Sequence, residues 1–186
     1  CSFHHCLWDQ IMTKPQTTKC TSCGAAVASE SVNYRYAESG IPNAVLQGAA
    51  VAECPACGNS DVSIPRLAEL HRVIAYALVK SPVRLTGPQI RFIRKHLGLS
   101  GDELGRYLHT DKTKISKWET GEDRVGPSTD RLIRLLATAL DEHLRHRVAD
   151  VASSLPEIHD QPGSHWDLHI DLATFTHAFF NVSRAA

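Results

Sequence analysis

The sequence predicts an α+β fold: a small cysteine-clipped antiparallel β module, then an all-α domain, with a C-terminal pair of segments that could close as a β-hairpin. Three observations predict it. Two copies of a Cys-x-x-Cys-Gly device, Cys20 to Gly24 and Cys54 to Gly58, enclose a stretch of alternating apolar and polar residues. Between Thr86 and Leu136, apolar residues recur at helical spacing and helix-start and helix-stop residues punctuate each join. From Trp166 the period changes to two, with Trp166, Leu168, Ile170 and Leu172 alternating against Asp167, His169 and Asp171.

Each Cys-x-x-Cys turn aims two sulfurs at one point, and the glycine after it accepts the positive φ that the tight turn demands. The 30 residues between Cys23 and Cys54 separate two such knuckles, and together they supply a closed four-thiolate set from Cys20, Cys23, Cys54 and Cys57. A set with no open position holds a fold together rather than performing catalysis, so one structural four-cysteine zinc site per chain is expected. Four-thiolate iron of the rubredoxin kind is the alternative, and it would make an electron carrier. In the enclosed segment, Ser31–Tyr36 reads as a strand, Glu38–Gly40 as a turn and Ile41–Leu46 as a second short strand. Ala49–Ala52 then leads into the second knuckle.

After Pro65, a helix with Leu67, Leu70, Ile74 and Leu78 along one side runs to Ser81-Pro82, and His71 within it reads as a satisfied surface histidine. Thr86-x-x-Gln89 and Ser100-x-x-Glu103 fit capping boxes, Pro88 suits a first turn, and Gly98 follows a helix end. The first helix is expected over Gly87–Leu97 with Ile90, Ile93 and Leu97 inward, and the second over Gly101–His109 with Leu104, Tyr107 and Leu108 inward. Asp111 then caps a third helix that Gly121 closes, with Ile115 and Trp118 facing the core. This leaves Lys112, Thr113, Lys114, Ser116 and Lys117, with Arg124 just beyond, for the outside. Cations and hydroxyls at the start of a short exposed helix are what docking in the major groove of double-stranded DNA requires. A fourth helix starts at Ser128 with Leu132, Leu135, Leu136, Leu140 and Leu144 on one side, long enough to pack on its own two-fold mate, with burial in its own chain the alternative for the first half of that stripe.

The segment Leu108-His-Thr-Asp-Lys-Thr-Lys-Ile-Ser-Lys-Trp-Glu-Thr-Gly121 resembles the recognition segment of Xre-type helix-turn-helix regulators. With the two knuckles in front, residues 20–137 resemble the MqsA-like antitoxin and regulator family, which joins a YgiT-type zinc finger to an Xre-type domain. The resemblance implies a homodimeric repressor on a palindromic operator, with Thr113 and Lys117 at the main base- and phosphate-contacting places and Pro127–Thr129 opening the next helix. It further implies a zinc module that can contact a cognate toxin. The functional expectation is a sequence-specific repressor, the antitoxin of a type II toxin–antitoxin pair acting on its own operon. The alternatives are a stand-alone Xre-family transcription factor and the iron electron carrier.

The charge distribution agrees with that expectation. The chain has 20 basic and 20 acidic residues, but residues 81–140 carry 11 basic against 7 acidic and residues 141–186 carry 3 against 7. A basic middle is compatible with phosphate contact. No nucleophile, base and orienting group recur at recognisable spacing, so no enzyme is expected. No run of roughly 18 apolar residues and no charged-then-apolar leader is readable, which points to a cytoplasmic protein without a membrane partner. In that reducing setting paired cysteines hold metal rather than form disulfides.

The expected organisation is 1–19 an N-terminal extension, 20–64 the four-cysteine zinc-finger module, 65–83 a linker helix, 84–149 the helix-turn-helix and dimerisation unit, and 150–186 an acidic tail. Residues 1–11 precede Met12, the single methionine, and read as foreign to the natural start. The cluster Cys1, His4, His5 and Cys6 within them is set aside for the same reason. In the tail, Phe175–Phe180 is the second apolar run that could pair with the first.

Overall fold

The computed structural model of the chain describes residues 17–159 and 167–175. Residues 1–16 with their Cys/His cluster, Pro162-Gly163, Trp166 and the run after Phe175 lie outside the described residues.

The knuckles open a sheet. β1 (Thr17–Lys19), β2 (Ala26–Arg35), β3 (Ala44–Glu53) and β4 (Ser60–Ser63) lie antiparallel in sequence order. β3 is longer than its apolar pattern indicates, because the stretches around Leu46 and Ala49 are one strand joined through a bulge. Val32 pairs with Ala49 and Tyr34 with Leu46, so Gln47 and Gly48 together oppose Asn33 alone. Gly48 sits there at φ 78°, which a side chain would strain. The expected strand at Ile41–Asn43 is instead a turn. Ile41 is buried, and the Tyr36 amide donates to the Ala44 carbonyl at 2.9 Å to restart the ladder.

The tail's alternating segment is a strand, β5 (Leu168–Asp171), and its partner is β3. It runs parallel beside Ala44–Gln47, on the same edge of β3 that β4 occupies beside Ala50–Glu53. Alternation decides which face Leu168 and Ile170 bury, but not which strand they join. The unpaired edge of β3 supplied the partner.

Six α-helices follow the sheet among the described residues: α1 (Leu67–Lys80), α2 (Gly87–His96), α3 (Gly101–Leu108), α4 (Lys112–Thr120), α5 (Pro127–Leu140) and α6 (Val148–Ser154). The capping signals act as read. Ser100 and Glu103 exchange both bonds, at 3.2 and 2.8 Å, and the Thr86 amide donates to the Gln89 side chain at 2.9 Å. One cluster of buried side chains runs from Leu46 and Ala49 of the sheet through Leu70, Ile74 and Leu78 of α1 to Ile90, Ile93, Leu104, Ile115 and Ile133. A second, small cluster holds Cys20, Val27 and Cys54.

Several faces differ from their predicted orientation. Tyr107 is 49% exposed and Leu67 46%. In α3 the pair four apart, Leu104 and Leu108, occupies the core side, which leaves Tyr107 turned away. Leu67 opens α1 and has no turn before it to lean on. In α5 the buried side is Asp130, Ile133, Arg134, Ala137 and Thr138, so Leu132 and Leu140 are exposed while Leu135 and Leu136 are half-buried. A buried arginine and aspartate turned that helix away from its leucine stripe. Leu144 is fully buried, but beyond the helix end. His71 is half-buried rather than on the surface: Tyr36 Oη lies 2.9 Å from its Nε2, and its ring meets Phe92 edge-on.

Candidate metal centre and DNA-reading surface

Each knuckle is a backbone device. The Gly24 amide donates to the Cys20 carbonyl at 3.0 Å and the Gly58 amide to the Cys54 carbonyl at 2.8 Å, with the two glycines at φ 75° and 72°. The antiparallel strands then bring the knuckles face to face. All four Sγ atoms lie within 4.8 Å of one another, with Cys20 and Cys57 at 3.6 Å and Cys23 and Cys54 at 3.5 Å. A tetrahedron with metal–sulfur bonds of about 2.3 Å has edges of about 3.8 Å, so four cysteines at these separations can hold one metal ion. Cys20 and Cys54 are buried and Cys23 and Cys57 exposed.

The thiols are electrostatically unequal. Amides of Cys23 and then Ser22 pull Cys20 down to about 6, while at Cys57 the Asn59 amide pulls downward but is outweighed by the other three sulfurs together with burial, which push it up to about 12. Cys20 would thus supply the first thiolate near neutrality, and a bound metal ion would displace the remaining protons. A polar clasp invisible to spacing arguments supports the site. Thr21 Oγ1 donates to Asp61 Oδ2 at 2.7 Å, and Asn59 Nδ2 reaches the same Asp61 oxygen at 3.2 Å, tying the first knuckle to β4 and the second.

The second surface is built around α4. Asp111 Oδ1 accepts the Lys114 amide at 2.8 Å, Gly121 ends the helix at φ 79°, and Ile115 and Trp118 anchor its inner side. Its orientation comes from two tight contacts. Arg94 of α2 grips Glu119 in a two-pronged pair, Nε–Oε1 2.6 Å and Nη2–Oε2 2.9 Å, with both side chains largely buried. Gly105 of α3 lies under the turn into α4, where an added Cβ would sit 2.5 Å from the Thr110 carbonyl oxygen. Neither partner showed itself in the hydropathy pattern. Gly105→Ala is expected to cost about 1–3 kcal/mol, the range for overpacking a tight contact. Urea unfolding measures it, and an unchanged midpoint would mean the turn yields freely.

The cap carries a pH dependence. The Lys114 amide, followed by the Thr113 amide and hydroxyl, holds the Asp111 carboxyl below its ordinary 3.8. A depressed folded value means the cap contributes fully above the unfolded value and is lost as pH falls through the folded one. Exchange of the Lys114 amide should therefore accelerate relative to that of Ile115 below about pH 3.8. In Asp111→Asn, whose side chain does not titrate, that step should vanish.

The six residues singled out for nucleic-acid contact divide into two groups. Lys112, Thr113, Ser116 and Lys117 lie exposed along α4, and Arg124 is exposed in the loop after it. Lys114 is half-buried and its ammonium is paired with Asp123, which lies beside Arg124 in that loop. Lys112 and Lys117 are looser, each with its Nζ 4.0 Å from a carboxylate, those of Asp102 and Glu122.

A short exposed helix standing on two others, with its polar face outward and its start capped, is the arrangement of a helix-turn-helix domain. Residues 90–141 match the helix-turn-helix family model, which spans α2 from Ile90 through α5. That fold belongs to DNA-binding transcription regulators and is not, as a class, catalytic. No curated protein and no solved structure matches the chain. No helix among the described residues is long and apolar enough to cross a membrane.

Proposed function

We propose that the chain is a sequence-specific repressor of the Xre type that binds a palindromic operator as a homodimer, with zinc in the four-cysteine centre. The observation that carries this reading is the outer face of α4. Lys112, Thr113, Ser116 and Lys117 stand clear of the core on the third helix of a domain matching the helix-turn-helix family. Thr113 and Ser116 offer hydroxyls to base edges, and Lys112, Lys117 and Arg124 offer charge to phosphates. The dimer is supported by Leu132, Leu136 and Leu140, four apart on the side of α5 that this chain leaves partly or wholly uncovered. Paired there, two copies would present two α4 helices to successive major grooves. Residues 84–149 would then be the DNA-reading and dimerising unit of a cytoplasmic protein.

Lys112→Ala, Lys117→Ala and Arg124→Ala are expected to weaken operator binding, each lowering the salt-dependence slope by roughly 0.9 per lost phosphate contact per subunit. Lys114→Ala serves as the internal comparison, because its ammonium is engaged with Asp123 and should change the slope least. Equal slopes in all four variants and the parent would remove α4 from the interface.

Within this reading the role is that of an antitoxin, whose cysteine module (residues 20–64) contacts a toxin while residues 84–149 repress the shared operon. Co-purification with the product of the adjoining gene separates this role from a stand-alone regulator. Iron in the same four thiolates is the competing reading of the centre, and the visible absorbance of iron–thiolate bonds, absent with zinc, distinguishes the two.

A further inference from the structure

Between α1 and β5 lies a pocket of about 430 Å³ that the DNA-binding reading does not use. One wall is apolar, with Val73 and Ala77 from α1, Leu168 and Ile170 from β5, and Phe175 after it, while Tyr76, His169 and Asp171 add polar groups. Arg147, just before α6, lines the same space. A volume of this size, with an apolar wall and a few polar groups around it, is typical of a small-molecule site.

Arg147 sets the chemistry. It is only 9% exposed, and yet its bonds to the described residues leave most of the guanidinium unspent. Its Nε donates to His146 Nε2 at 3.0 Å, and its Cζ lies 5.5 Å from the centre of the Tyr76 ring. Arg94 and Arg134, the other well-buried arginines, each hold a carboxylate in an ion pair. Arg147 has no carboxylate at ion-pair distance among the described residues. The nearby acids are committed elsewhere. Asp150 feels the Arg147 charge but bonds to the Tyr76 hydroxyl and the Lys80 ammonium, and Asp171, which lines the pocket, accepts the Ala173 amide at 2.8 Å and the Thr174 hydroxyl at 3.1 Å. A buried guanidinium facing a cavity, with no carboxylate at bonding distance, has donors left for a ligand.

We propose that this pocket binds a small organic carboxylate with an apolar body, its carboxylate on the Arg147 guanidinium and its body against Val73, Ile170 and Phe175. The planar fork of arginine matches two carboxylate oxygens at once, and the low-polarity walls strengthen that pair. A doubly charged phosphate would need a second cation, and no other lysine or arginine lines the pocket among the described residues.

The test uses the full chain with 3-phenylpropanoate and its neutral amide, followed by NMR of the Val73, Ile170 and Phe175 side chains. The acid should shift these signals saturably, and the amide should bind about tenfold or more weakly, reflecting the loss of a charge-assisted pair. Arg147→Gln should bring the acid down to the amide's affinity, and Arg147→Lys should recover part of it. Because acid and amide are compared on the unaltered chain, the result does not depend on how well either variant folds. Equal binding of acid and amide, shifts confined to other residues, or no saturable shift with the acid would each overturn the proposal. So would contacts from residues after Phe175 that fill the pocket in the free protein.

Discussion

Replacing Arg134 with alanine should cost the chain about 3–5 kcal/mol, the range for removing one partner of a buried ion pair. The side chain is 1% exposed and its Nε binds Asp130 Oδ2 at 2.8 Å, one turn earlier on α5. Its Nη1 reaches the carbonyls of Leu78, Val79 and Ser81, the last at 2.6 Å, and its Nη2 that of Val83. The last carbonyls of a helix lack their regular intrahelical donors; at the end of α1 the Ser81 amide reaches that of Leu78, and the guanidinium adds donors and complements the negative end of the helix dipole. Asp130 completes the clamp by accepting the Leu85 amide at 2.8 Å through its other oxygen. Burial pulls the guanidinium down and Asp130 draws it back up, and an arginine stays charged throughout. Alanine would leave the Asp130 charge uncompensated and take a donor from four carbonyls, of which those of Leu78 and Val83 keep a bond from Ser81. Equilibrium urea unfolding reads the loss directly, and a change below about 1 kcal/mol would show that water replaces the clamp. Arg134→Met combined with Asp130→Leu should recover a large part of it, since the stranded charge rather than the missing contact dominates the cost.

Chelating the metal, or replacing Cys20 with serine, should release the knuckle end of the sheet. The proposed zinc is worth on the order of 10–16 kcal/mol of apparent binding free energy at pH 7. Among the described residues, the local core it supports is Cys20, Val27 and Cys54, with Ala25 and Ala52 against it. Apolar burial on that scale cannot hold β1, β4 and two tight turns in place. The far ends of β2 and β3 are different, because Tyr36, Ala44, Leu46 and Ala49 belong to the large core that includes α1. Hydrogen exchange should therefore show Cys20, Gly24, Cys54 and Gly58 losing protection on metal removal while Leu46, Ile74 and Ile115 keep theirs. Uniform loss along the chain would mean that the centre and the helices unfold as one unit, and no loss would mean that the hydrogen-bonded knuckles stand without a metal.

The sequence by itself determined the features whose physics is local. Two sulfurs three residues apart with a glycine after them make a knuckle wherever they occur. Asp111 and Ser100 start helices, and Gly121 ends one, through bonds that span only a few residues. The Ile115–Trp118 spacing in a helix so capped was enough to place Lys112, Thr113, Ser116 and Lys117 outside. What only the tertiary structure decided are the matters settled by partners distant in the chain. Hydropathy counts Arg134 and Asp130 as surface residues, and so turned α5 toward its leucines. The interior accepts the pair because four carbonyls and an amide 45 or more residues away meet it. Arg94 with Glu119, β5 with β3, and Arg147 with its pocket follow the same logic. Each depends on which groups are left unpaired once the local elements have packed, and that is a property of the assembled fold rather than of any segment.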